Sequence, residues 1–136
     1  RVIAMTGDGS RLVSSGQLPG GGSGAALLDG KTGAVVRRID NPPYQPMAAS
    51  LSPDGRLIAL PVSEFRDGVQ WHVDVREAAT WKKLGRVSPP REHGTDVPLP
   101  RFSPDGKTIA VMFRNARRLA LYDAPDPAVP LPAAAP

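Results

Sequence analysis

Arg101 to Phe113 reads RFSPDGKTIAVMF, and Leu51 to Val62 has already said nearly the same thing as LSPDGRLIALPV. A weaker copy, MTGDGSRLVSS, runs from Met5 to Ser15. The Asp-Gly pairs stand at Asp8-Gly9, Asp54-Gly55 and Asp105-Gly106, with 46 and then 51 residues from one Asp to the next. Self-similarity at a period of about 45 to 50 residues marks a four-stranded propeller blade, so the repetition sets the fold before any single residue does. The sequence predicts an all-β partial β-propeller of about three four-stranded antiparallel blades, the last incomplete.

Each copy has a local reason to be a hairpin. Asp-Gly between apolar runs is a strong hairpin signal, because a tight turn needs positive φ and Gly supplies it without a Cβ clash. Pro53 and Pro104 suit the first corner of such a turn, and Ser52 and Ser103 can hydrogen-bond its backbone. Aliphatic and β-branched runs follow: Leu12-Val13, Leu57-Ile58-Ala59-Leu60 and Thr108-Ile109-Ala110-Val111-Met112-Phe113. Pro61 is expected to end the second run or place it at an edge.

The pattern S-P-D-G-[KR]-x-I-A, followed about 20 residues later by an apolar residue and an acid, resembles the bacterial WD-repeat and TolB-like β-propeller families. Ala26-Leu27-Leu28-Asp29-Gly30-Lys31-Thr32-Gly33 resembles the strand that ends in Trp-Asp and then x-x-Thr-Gly, with Leu28 at the Trp position. Leu119-Ala120-Leu121-Tyr122-Asp123 matches it with Tyr122 for Trp. The second copy departs: Val73-Asp74-Val75-Arg76 puts Arg at the aspartate position, and Glu77 to Trp81 reads as one residue too many for Thr-Gly. The resemblance implies structural turns at Asp8, Gly9, Asp54, Gly55, Asp105, Gly106, Asp29 and Asp123. It also implies that His93, in a connector between blades, joins a buried network with a strand Ser or Thr and the turn Asp. Members of these families mostly serve as platforms for other macromolecules, and the resemblance implies the same here.

Composition bounds the rest. With 16 Pro, 14 Gly and 5% aromatics in 136 residues, many short strands are expected and no long helix. A net charge of +4 permits an acidic partner without demanding one. Its basic residues are not interleaved with aromatics, so a nucleic-acid partner is not expected. There is no Cys, which excludes disulfides and thiolate metal sites. No apolar run approaches the roughly 20 residues of a membrane span, so no membrane partner is expected; the chain reads as soluble, its compartment, cytoplasmic or periplasmic, open.

The repeats divide the chain into blades at about 1–40, 47–87 and 98–124, with 125–136 a Pro/Ala-rich linker or tail. Asn41 to Pro46, NPPYQP, reads as a rigid connector whose prolines forbid a ladder. Ser88 to Pro100 reads as an extended one. Since propellers close with about four to eight blades, fewer than three imply a fragment of a larger ring, several copies assembling one, or an open stack, and a fragment or truncated gene product is the favoured reading.

Phosphate and nucleophile motifs fail on spacing. Gly20, Gly22 and Ala25 satisfy a loose G-x-G-x-x-A with no room for a following helix. Five residues separate Gly24 from Gly30 where a phosphate-binding loop has four. Ser23 is in no G-x-S-x-G elbow. His72 and Asp74 are neighbours on one face of the strand VQWHVDV and read as a solvated polar pair. A metal site from His72, His93 and Asp96 would need ligands from different blades, so no cofactor and no metal are expected.

The expected function is that of a non-catalytic scaffold for a protein partner, with self-association as a further way to close the ring. Candidate contact residues are Phe65, Arg66, Trp71, His93, Arg114 and Arg117, because rim loops carrying Arg and aromatics hold much of the energy of interfaces. The alternatives are the propeller portion of a larger hydrolase or kinase, or of a periplasmic TolB-like binding protein.

Overall fold

In a computed structural model, the described residues are 2–17, 23–40, 43–65, 67–88, 96–113 and 117–125. Three antiparallel sheets follow one another along the chain. The first is β1 (Val2–Met5), β2 (Arg11–Gln17), β3 (Ser23–Asp29) and β4 (Val35–Ile39), paired in that order. The second is β5 (Ser50–Leu51), β6 (Leu57–Phe65), β7 (Val69–Glu77) and β8 (Lys83–Val87). The third is β9 (Pro98–Phe102), β10 (Thr108–Phe113) and β11 (Arg118–Asp123), with no fourth strand among the described residues. Helix among them is one 3-10 turn, Pro46–Ala48, and no helix is long and apolar enough to cross a membrane.

Side chains alternate along a strand, so each sheet has a leading face toward the next sheet and a trailing face toward the one before. Val13, Ala25, Leu27 and Ile39 on the leading face of the first sheet pack with Ala49, Ile58, Leu60 and Ala78 of the second. Leu57, Ala59, Val73, Val75 and Leu84 on the leading face of the second pack with Ile109, Val111 and Phe113 of the third. Each fully buried aliphatic contributes about 1.5–3 kcal/mol, so these two seams hold the stack together.

Proline placement differs from the sequence reading, for a reason of hydrogen-bond direction. β6 runs on through Pro61, which is fully buried, to Phe65. The Pro61 carbonyl accepts from Gln45 N–H at 2.9 Å, so the missing amide hydrogen faces away from β7, on the side where two-residue β5 has already ended. The connector at 43–46 is likewise not free of pairing, since Tyr44 bridges Val62 and Ser63 N–H donates to Pro43 O. Pro98 and Pro100 belong to β9, which has a single strand neighbour and one edge that needs no donor.

Candidate functional site

Two rims frame the stack, and the Asp-Gly turns lie on one of them. In each turn the hydroxyl of the first residue donates to the Asp carboxylate: Thr6 to Asp8 at 2.9 Å, Ser52 to Asp54 at 2.8 Å and Ser103 to Asp105 at 2.6 Å. The same hydroxyl accepts the N–H of Arg11, Leu57 or Thr108, and the carboxylate accepts the N–H of Ser10, Arg56 or Lys107. Gly9, Gly55 and Gly106 close the turns at φ +73, +74 and +73, donating to the carbonyls of Thr6, Ser52 and Ser103. The β-turn therefore spans Pro53-Asp54, with the left-handed Gly after it, instead of being centred on Asp-Gly. Backbone hydrogen bonds, chiefly from Ser10, lower the Asp8 pKa from its ordinary 3.8 to about 2. Asp54, through Arg56 N–H, and Asp105, through the Ser103 hydroxyl, are lowered too.

The turns after β3 and β7 share this rim. Asp29 O accepts from Gly33 N–H, and its carboxylate accepts from Lys31 and Thr32 N–H and from Arg11 Nη1 at 3.3 Å. Glu77 O accepts from Trp81 N–H in the same way, so Glu77, not Arg76, occupies the Asp29 position and no residue is extra. Trp81 takes the place of Gly33 at φ +66 against +74. The matching signal is threonine: Thr32 Oγ1 and Thr80 Oγ1 each accept the N–H two residues on, at 3.2 Å. Gly30 must be glycine because a Cβ there would lie 1.6 Å from Gly9 O.

Between the first two sheets lies a polar node that sequence reasoning missed. The guanidinium groups of Arg37 and Arg76 lie over the Trp81 ring, at 5.5 and 5.6 Å, with Tyr44 edge-on at 6.1 Å. Arg76 donates to Tyr44 Oη and to Trp81 O. Asp74, expected on a solvated face, is 1% exposed and paired with Arg86 at 2.7 Å. The correction follows from packing: β7's other face meets the third sheet, so both faces of this central strand are covered. Arg86 also binds Glu64, whose carboxylate stands 3.5 Å from His72 Nε2, while His72 Nδ1 and Ser88 Oγ are 2.9 Å apart. That series has the order hydroxyl, imidazole, carboxylate, but Arg86 bridges Glu64 and Asp74, so the carboxylate that His72 faces is shared with a guanidinium.

The Asp-Gly rim holds two clefts, one at each seam. The first, about 360 Å³, is lined by Arg11, Asp29, Lys31, Asp54, Arg56 and Glu77. The second, about 290 Å³, repeats it with Asp54, Arg56, Asp105 and Lys107. Charges of both signs balance in each, giving neither cleft a net pull on an anion or a cation. No group of three or more His, Asp or Glu fit for a metal occurs among the described residues.

The opposite rim carries the hairpin tips. Phe65 is 84% exposed at the end of β6 and pairs across the hairpin with Val69, 42% exposed. Asp67 and Gly68, both at positive φ, turn the chain between them. Arg117, exposed and at φ +50, tops the hairpin of β10 and β11. Trp71 is half-buried on the leading face of β7, two residues short of Val73. Phe65 and Arg117 therefore share a rim, away from both clefts. Arg66, His93 and Arg114 lie outside the described residues, while Asp96, near His93 in sequence, is buried.

Neither a protein-family model nor a curated protein sequence matches the chain. Among solved structures it is similar to Kuenenia stuttgartiensis hydrazine synthase, with 20% identity and a TM-score of 0.62 over 88% of this chain and 38% of that one. It is also similar to TolB from Acinetobacter baumannii, with 20% identity and a TM-score of 0.54 over 88% of this chain and 28% of that one. A eukaryotic initiation factor matches with 20% identity and a TM-score of 0.56 over 93% of this chain and 31% of that one. The chain thus spans about a third of the length of these structures. At such identity the likeness shows the fold alone, and the fold is all-β, a partial β-propeller.

Proposed function

We propose that the chain is a non-catalytic interaction module, with the rim of the hairpin tips as its contact surface for a protein partner. The observation that carries this is Phe65, more exposed than any other large hydrophobic among the described residues and held at a hairpin tip. A large ring presented to water adds nothing to the fold, and aromatics backed by a rigid scaffold are common anchors of interfaces. Arg117 on the same rim supplies a donor-rich neighbour. An enzyme, a TolB and an initiation factor share this stack, which supports reading it as a scaffold whose contacts lie in loops.

A photo-crosslinking side chain placed at position 65, and in parallel at Lys31 on the opposite rim, tests the reading in a lysate. Discrete adducts from 65 that are absent from 31, and that an added Arg117→Glu change weakens, are the expected result. Equal adducts from both rims, or none from 65, would remove this rim as the contact surface.

A further inference from the structure

The polar node between the first two sheets holds more positive charge than its own carboxylates match. Its acids are Asp74 and Glu64, and the cations within 3.9 Å of them are Arg76, Lys83 and Arg86. Arg37, reaching across the seam from β4, makes four cations against two carboxylates, before any charge on His72 is counted. Arg86 takes the short bonds to both acids, so Arg76 turns to neutral acceptors, Tyr44 Oη and Trp81 O, with Asp74 at 3.9 Å.

Arg37 is left with no anion at all. Among the described residues its guanidinium meets no carboxylate and donates no hydrogen bond, and its Nε is buried without an acceptor. Buried polar groups are otherwise hydrogen-bonded in folded proteins, so a guanidinium with bare donors marks a place where an acceptor is missing. What the chain supplies instead is the Trp81 ring, 5.5 Å from the Arg37 guanidinium and 5.6 Å from that of Arg76. An aromatic face attracts a cation but leaves its in-plane N–H donors unmet.

The backbone is strained to place that ring. Trp81 stands at φ +66, in the left-handed region, where the first sheet has Gly33 at φ +74. Glycine serves the same turn without strain, so the turn does not call for tryptophan, and strain of this kind gathers at ligand clamps.

We propose that Arg37 and Arg76, supported by the Trp81 ring, bind a phosphate group. A guanidinium stacked on an aromatic face with its fork free suits carboxylate and phosphate alike. The excess of two positive charges selects the second: a phosphate monoester brings about 1.5 to 2 negative charges and three acceptor oxygens at neutral pH, a lone carboxylate one charge. The clefts of the Asp-Gly rim have balanced charges and take no part. Neither Phe65, Val69 nor Arg117 belongs to the site, so it stands or falls apart from the interaction reading.

Titration of the purified full chain with inorganic phosphate, at an ionic strength held constant with sodium chloride, provides the test. Trp71→Phe leaves Trp81 as the one indole to report. A saturable change in its emission is expected, with a melting temperature that rises as phosphate is added. Arg37→Gln should weaken the apparent affinity at least tenfold, whereas Arg38→Gln, on the opposite face of β4, should leave it unchanged. Arg37→Lys keeps a charge near Trp81 and loses the fork; it should weaken binding too, and it serves if Arg37→Gln does not fold. No saturable response beyond that of chloride, or a response retained in both Arg37 variants, would overturn the proposal. A response to glutarate stronger than that to phosphate would overturn phosphate as the class.

Discussion

At the scale of single residues, each Asp-Gly turn is a closed circuit of donors and acceptors, and the hydroxyl residue is its hub. Ser52 Oγ gives its hydrogen to Asp54 and takes the N–H of Leu57, and it is 3% exposed. Ser52→Ala would leave a buried N–H without its acceptor, which costs about 1–3 kcal/mol. Urea unfolding should show a loss of that size at Ser52, and a smaller one for Ser103→Ala, whose turn water can reach. Equal losses at both sites would show that burial does not govern these turns. The hydroxyls, prolines and Asp-Gly pairs of this circuit are all visible in the sequence. Trp81 is not, because a tryptophan at positive φ breaks the rule that makes glycine a turn signal. Thr80, at the same place as Thr32, carried the information instead.

At the scale of the element, β7 is where alternation misleads. Its pattern VQWHVDV has the polar and apolar faces of a half-exposed strand, yet Asp74 is as buried as Val75. What makes this tolerable is Arg86 on the neighbouring strand, at 2.7 Å, a pairing fixed by the β7–β8 register, which no local pattern encodes. The equivalent positions in β3 and β11 are Ala26 and Ala120, so the fold itself accepts a small apolar residue there. Removing Arg86 alone takes away the short bonds of a buried carboxylate and leaves it Arg76 and Lys83, each at 3.9 Å, so a loss toward the low end of about 3–5 kcal/mol is expected in Arg86→Ala. Asp74→Ala combined with Arg86→Ala should recover a measurable part of that loss in a double-mutant cycle. Simple addition of the two single losses would mean that the ion pair is not coupled.

At the scale of the whole molecule, the three turn carboxylates act in concert on acid stability. Each folded-state pKa is depressed, and Asp8 reaches about 2 from 3.8. A depressed carboxylate contributes stability that is fully present above its unfolded value and is lost as pH falls through the folded one. The melting temperature should therefore hold steady down to about pH 5 and fall between about pH 4 and pH 2. Replacing Asp8, Asp54 and Asp105 together by Asn should flatten that acid limb. A fall that begins near pH 6, or one unchanged in the triple variant, would assign acid sensitivity to other groups.

The all-β class, the repeat and the places of the three Asp-Gly turns are legible in the chain alone, because each rests on short-range stereochemistry that reads the same in every copy. The sequence also put Arg117 at a hairpin loop, whereas Phe65, expected in the loop beside it, is the last residue of β6. The folded chain was needed to show that β6 passes through Pro61, that Glu77 stands in phase with Asp29, and that Arg37, Arg76, Tyr44 and Trp81 meet at one seam. It alone separated buried leading faces from the open one on the third sheet. The physical reason is shared: which edge needs a donor, which face is covered and which charge finds a partner depend on neighbours dozens of residues away, and strand periodicity says nothing of neighbours.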